Sequence, residues 1–200
     1  MRYALALKLG CLALGLWQAI PGQAAIVWDE STQGELSANA LLPTALAMAP
    51  GSNIVLGTVG DSGSGVDRDY FTFNVPAGIQ LSALILLGNT SVSGGTAFLA
   101  MQAGPQITVT PSGVGVENLL GFIHYDAGMV NQDLLPQMGL RIAPPLPAGS
   151  YSVWVQETGG VVPFGLNFVL SAVPEPGAGA LVLAGLAGLA GLHGVRRRRR

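Results

Sequence analysis

The sequence predicts an all-β fold, an antiparallel sandwich, with an N-terminal export signal before it and a single apolar span after it. Three observations predict this. In the middle of the chain apolar residues recur every second position, the spacing that puts alternate side chains on one face of a strand. Clusters of Gly, Pro, Ser and Asn separate these runs, as turns do. The two ends instead carry long apolar stretches flanked by positive charge.

The N-terminal element is residues 1–24. Arg2 and Lys8 supply positive charge, and residues 9–20 are apolar. That stretch is shorter than the roughly 20 residues a membrane-spanning helix needs. Pro21-Gly22 breaks it, and Gly22 and Ala24 are small where a signal peptidase reads. Residues 1–24 are therefore expected to be a signal peptide, cleaved after Ala24 or one residue later. Cys11, the sole cysteine, would leave with it. Lys8, three residues earlier, does not suit a lipoprotein signal. The exported chain then has no disulfide and must stand on its apolar core.

Residues 25–172 form the exported domain. Residues 70–75 alternate, with Phe71, Phe73 and Val75 on one face and Tyr70, Thr72 and Asn74 on the other. Leu81, Ala83, Ile85 and Leu87 repeat the spacing. So do Tyr151, Val153 and Val155, with Trp154 and Gln156 opposite, and finally Leu166, Phe168 and Leu170. Pro76-Ala77-Gly78 and Pro147-Ala148-Gly149 are expected to open two strands with the same turn, proline presetting φ and glycine accepting a positive one. Short helical pieces are expected near residues 116–123 and 131–135.

Charge in this domain is lopsided. Ten acids face two bases, Arg68 and Arg141, with no lysine, a net of −8. Such a surface excludes nucleic acid as a partner. It favours cations, and it suits neutral sugars, or acidic ones through a bridging divalent ion.

Catalytic candidates fall away on inspection. Gly60-Asp61-Ser62-Gly63 echoes the nucleophile loop of trypsin-like proteases, but that chemistry needs a histidine base. The domain's single histidine, His124, follows the serine in the chain rather than preceding it. With no second histidine and no cysteine, zinc is excluded as well, and no pair of carboxylates stands out for glycoside cleavage. No residue is assigned a catalytic role, and the chain is expected not to be an enzyme. Asp61, Asp67 and Asp69 are the candidate metal ligands. Oxygen ligands in a Gly/Ser loop entering a strand suit Ca²⁺, the single cofactor considered; the alternative is a solvated acidic turn capping backbone amides. Tyr151 and Trp154, with Trp28, are candidates for stacking on sugar rings, the alternative being core or rim packing.

The C-terminal element is residues 173–200. Val173-Pro174-Glu175-Pro176 precedes residues 177–195, 19 residues without formal charge. At about 1.5 Å per residue this makes roughly 28 Å of helix, close to the hydrocarbon thickness of a bilayer. Arg196, Arg197, Arg198, Arg199 and Arg200 follow and would hold that end in the cytoplasm. Gly185, Gly188, Gly191 and Gly194 recur every third residue, which weakens the helix and makes a marginal anchor. These three parts, in this order and at this end, resemble the PEP-CTERM sorting tail of Gram-negative bacteria. The resemblance implies recognition of the 173–176 motif by an exosortase and removal of the tail. It further implies an inner-membrane-anchored precursor, and delivery to the cell surface or extracellular matrix.

The domain carries a resemblance of its own. Asp67-Arg68-Asp69-Tyr70-Phe71-Thr72-Phe73-Asn74-Val75-Pro76-Ala77-Gly78, followed by Leu146-Pro147-Ala148-Gly149-Ser150-Tyr151-Ser152-Val153-Trp154-Val155, is similar to the bacterial pre-peptidase C-terminal (PPC) domain over residues 57–171. That resemblance implies a jelly-roll-like sandwich with an auxiliary role, in binding or stabilisation rather than catalysis; some relatives bind calcium or polymeric substrates. Two functions therefore stand side by side, a surface or matrix protein associating with exopolysaccharide and a self-associating structural envelope protein. The accessory domain of a small secreted hydrolase is third.

Overall fold

The structure is a computed structural model and describes residues 24–174. The expected signal peptide, apart from Ala24, lies outside the described residues. So do Glu175, Pro176, the apolar span and the terminal arginines. Among the described residues no helix is long and apolar enough to cross a membrane.

The described residues are all-β, as their alternation predicts. The strands are β1 (Ala25–Asp29), β2 (Thr44–Leu46), β3 (Gly51–Asp61), β4 (Val66–Val75), β5 (Ile79–Leu86), β6 (Ala97–Ala103), β7 (Leu119–Tyr125), β8 (Gly149–Gln156) and β9 (Val162–Ala172), with one short helix, α1 (Glu30–Gln33), after β1. They form a curled sheet in the order β5-β9-β3-β4-β8-β6-β7, antiparallel at every step. β1 lies parallel beside β3, and β2 parallel beside β4.

The curl has one narrow joint. β3 pairs with β9 from Gly51 to Val59 and meets β4 only through Gly60↔Asp67 and Asp61↔Val66. From this joint one arm (β1, β3, β9, β5) and the other (β2, β4, β8, β6, β7) separate and enclose the larger of two apolar clusters. Phe168 of β9 reaches across to β4, edge-on to Phe71 at 5.8 Å and to Phe73 at 5.1 Å between ring centroids. The inward faces are those the alternation marks: Phe71, Phe73 and Val75; Tyr151, Val153 and Val155; Leu166, Phe168 and Leu170. Each buried side chain of this size contributes roughly 1.5–3 kcal/mol, the main stabilising term for a domain without disulfides.

Four expectations are corrected. In β5 the pairing with β9 slips between Leu81 and Ala83, so the buried residues are Leu81, Leu84 and Leu86 rather than the odd-numbered series. A bulge inserts one residue and reverses the faces beyond it. Residues 116–123 are not one helical piece: a 3-10 turn covers Val116–Asn118, and β7 begins at Leu119. Gly121 faces inward there, where a Cβ would lie 2.6 Å from the carbonyl oxygen of Met138, so the strand packs closely against that segment. Residues 131–135 are also not a helix; the 3-10 turn nearby is Leu135–Gln137. The two proline-alanine-glycine segments differ as well. Gly78 has φ 78° and Ile79 N donates to Pro76 O at 3.1 Å, whereas Gly149 begins β8 without a positive φ.

Candidate functional site

The outer face of the second arm carries an open groove of about 430 Å³. Its floor comes from three strands that lie side by side in the order β8-β6-β7. β8 sends out Trp154, β6 sends out Phe98, and β7 sends out Phe122 and His124. Alternation puts Val153 and Val155 in the core, so Trp154 must face the other way. The Phe98 ring stands edge-on to Trp154 at 4.8 Å and lies 5.8 Å from Phe122 and 5.4 Å from His124. Val109, Thr110 and Pro111, from the β6–β7 connection, form one wall, and Gln156 and Thr158 stand at the end of β8.

Two features of this floor stand out. Phe122 is 45 % exposed, a large apolar ring presented to solvent, whereas Trp154 is 5 % exposed. The Trp154 indole N–H is buried and has no hydrogen-bond partner. Glu157, at the rim, is already satisfied. Its carboxylate accepts from the amides of Thr158 (2.7 Å), Gly159 (2.9 Å) and Ser93 (3.1 Å), and so it holds the loop.

Tyr151 and Trp154 are not brought together. Tyr151 points into the core against Phe73 at 5.9 Å, and its hydroxyl donates to Pro147 O at 2.7 Å. Trp28 packs at the edge of the core, with Nε1 donating to Gly34 O. Of the sequence candidates for stacking, Trp154 alone lines the groove.

Of the three aspartates, Asp67 stays near Asp69, whose carboxyl feels its charge, while Asp61 serves a turn. Asp61 Oδ1 accepts from Gly63 N at 2.7 Å, closing the turn between β3 and β4. Beside it the Ser62 and Ser64 hydroxyls bond each other. Asp69 has the same phase as Phe71 and Phe73 and is 0 % exposed, with no hydrogen-bond donor on either oxygen. Its polar neighbours are other acids. Glu30 of α1, Glu35 and Asp69 each bring one carboxylate oxygen to within 4.8 Å of the others. Burial, then the charges of Glu30, Asp67 and Glu35, push the Asp69 carboxyl up to about 9. Glu35 is pushed to about 7 by burial and by Glu30 and Asp67, the last also in hydrogen-bond reach.

Sequence reasoning missed Phe98, Phe122, His124, Glu30 and Glu35. Phe122 and His124 alternate with Ile123 and Tyr125, a strand signal, but the helical expectation covers residues 116–123; His124, beyond it, reads from sequence as a half-buried strand or loop residue. For Glu30 and Glu35 only the excess of acids hinted at them. No family model, no curated protein and no solved structure matches this chain.

Proposed function

We propose that this chain is an exported, non-enzymatic surface or matrix protein whose β-domain binds a neutral polysaccharide in the groove over Trp154. The observation that carries the proposal is the aromatic floor itself. Sugar rings present apolar C–H faces that pack on aromatic rings, while their hydroxyls need side-chain donors and acceptors. The groove offers Phe98, Phe122 and Trp154 for the first need and Thr110, Gln156 and Thr158 for the second. The net charge of −8 on the exported domain disfavours polyanions and leaves neutral exopolysaccharide as the fitting class.

The ends of the chain supply the route. The 1–24 leader directs export and is removed by signal peptidase. The 173–200 tail, resembling PEP-CTERM, is handled by an exosortase after an inner-membrane stage in a Gram-negative bacterium. The domain is then left at the cell surface or in the matrix as a jelly-roll-like sandwich of the PPC kind. His124 belongs to the stacking floor in this account, next to the rings of Phe98 and Phe122.

The test is co-sedimentation of the purified full chain, in mild detergent, with the producer's exopolysaccharide, beside neutral dextran and acidic alginate. Binding to neutral polymer that Trp154→Ala abolishes is expected. Equal binding by wild type and Trp154→Ala, or concentration-dependent assembly with no glycan bound, would overturn it in favour of a structural, self-associating protein.

A further inference from the structure

We infer that Glu30, Glu35 and Asp69 form a site for one hard divalent cation, of the calcium class, which clamps the N-terminal segment to β4. This site is separate from the groove and does not depend on any glycan.

The decisive residue is Asp69. A carboxylate fully removed from water normally keeps its charge only with amide donors, a basic partner or a metal ion. Asp69 is 0 % exposed, and neither of its oxygens has a donor. Arg68, its neighbour in sequence, has the opposite phase; it donates through Nε to Gln156 Oε1 at 2.8 Å and through Nη1 to Val66 O at 3.1 Å. What Asp69 faces instead is two further acids. Three carboxylates gathered without a base repel one another, and one shared cation reverses the sign of that interaction.

Glu30 is built into place rather than drifting near. Its Oε1 accepts from Leu36 N at 3.0 Å and its Oε2 from Thr58 N at 2.7 Å. Oε2 also accepts from the Thr58 hydroxyl at 3.4 Å, so it is Oε1 that retains a further lone pair for an ion. Gly57 makes room, since a Cβ there would come within 3.0 Å of Glu30 Cδ. Oxygens on opposite sides of a calcium ion, at 2.3–2.6 Å each, stand roughly 4.6–5.2 Å apart. One ion can therefore touch all three oxygens, which lie within 4.8 Å of one another. Glu35 is exposed and leaves the site open on one side, where water can complete the shell. The consequence is mechanical. Glu30 is held to β3, Asp69 belongs to β4, and the two strands otherwise meet through only two residue pairs. The ion would reinforce the joint between the arms.

Calorimetric titration of the purified full chain with CaCl₂, in detergent and after EDTA treatment, tests this alongside thermal melting. One calcium per chain is expected, with a melting temperature several degrees higher in calcium than in EDTA. Glu35→Gln, at an exposed position, should weaken binding at least tenfold without lowering the melting temperature in EDTA. Asp69→Asn should abolish binding without lowering that temperature. Absence of binding heat together with equal melting temperatures in calcium and EDTA would overturn the inference. So would unaltered calcium affinity in Glu35→Gln, which decides the matter even if Asp69→Asn fails to fold, and so would magnesium binding as tightly as calcium.

Discussion

The ring of Phe98 stands edge-on to the indole of Trp154, 4.8 Å between centroids, although 56 positions separate them in the chain. β6 and β8 are hydrogen-bonded neighbours, with Ala100 opposite Trp154 and Phe98 opposite Gln156. Phe98 and Trp154 are thus diagonal partners on one face, within reach of large rings.

Phe122 separates binding from folding. It is largely exposed, so Phe122→Ala should change stability by less than about 1 kcal/mol. Glycan binding should fall at least severalfold. Full binding by a folded Phe122→Ala protein in co-sedimentation would count against the groove as the site.

Tyr151 provides the opposite case. Tyr151→Phe removes the hydrogen bond to Pro147 O and should lower stability by about 0.5–1.5 kcal/mol. Because the ring faces the core, glycan binding should not change. Denaturant melts and co-sedimentation on one preparation give both readouts, and lost binding would mean that the inner face takes part in recognition.

Phe168 holds the two arms together through its edge contacts with Phe71 and Phe73. Truncation to Ala leaves a cavity between the arms and should cost about 3–5 kcal/mol. A loss below 1 kcal/mol in urea unfolding would show that the arms do not share this core.

Gly60 sits at the joint with φ 143°, and a Cβ there would lie 2.6 Å from the Gly160 carbonyl oxygen and the Val161 Cα. Gly63 has φ 88° but open space around it. Gly60→Ala should therefore destabilise by more than about 1 kcal/mol and by more than Gly63→Ala does. Equal melting temperatures for the two variants would contradict a crowded joint.

In EDTA the pH dependence has a fixed sign. The Asp69 carboxyl is raised from 3.8 to about 9 by burial and its acidic neighbours, so the folded chain holds a proton that the unfolded chain releases. Its stabilising share is complete below about pH 4 and is lost as pH rises toward 9. Glu35, raised to about 7, acts in the same direction but is exposed and contributes less. Melting temperature should fall between pH 5 and pH 9, and Asp69→Asn should flatten the slope. A melting temperature that rises over this interval would refute the assignment.

The amino-acid sequence by itself determined the strand faces. Phe71, Phe73 and Val75, like Leu166, Phe168 and Leu170, are inward because side-chain direction in an extended chain follows from the backbone alone. It also determined the excess of acids and the absence of a disulfide over residues 25–172. It failed at β5, where a one-residue bulge flipped the face, and at Leu119–Tyr125, where a short apolar run carries no decisive period. Only the tertiary structure decided which strands became neighbours. Local alternation fixes which way a side chain points but not the strand it lies beside, since pairing is set by contacts between residues far apart in the chain. That is why Trp154 can be singled out from sequence while Phe98, its neighbour on β6, cannot. It is also why Asp69 was grouped with Asp61, close in sequence, when folding placed it against Glu30 and Glu35.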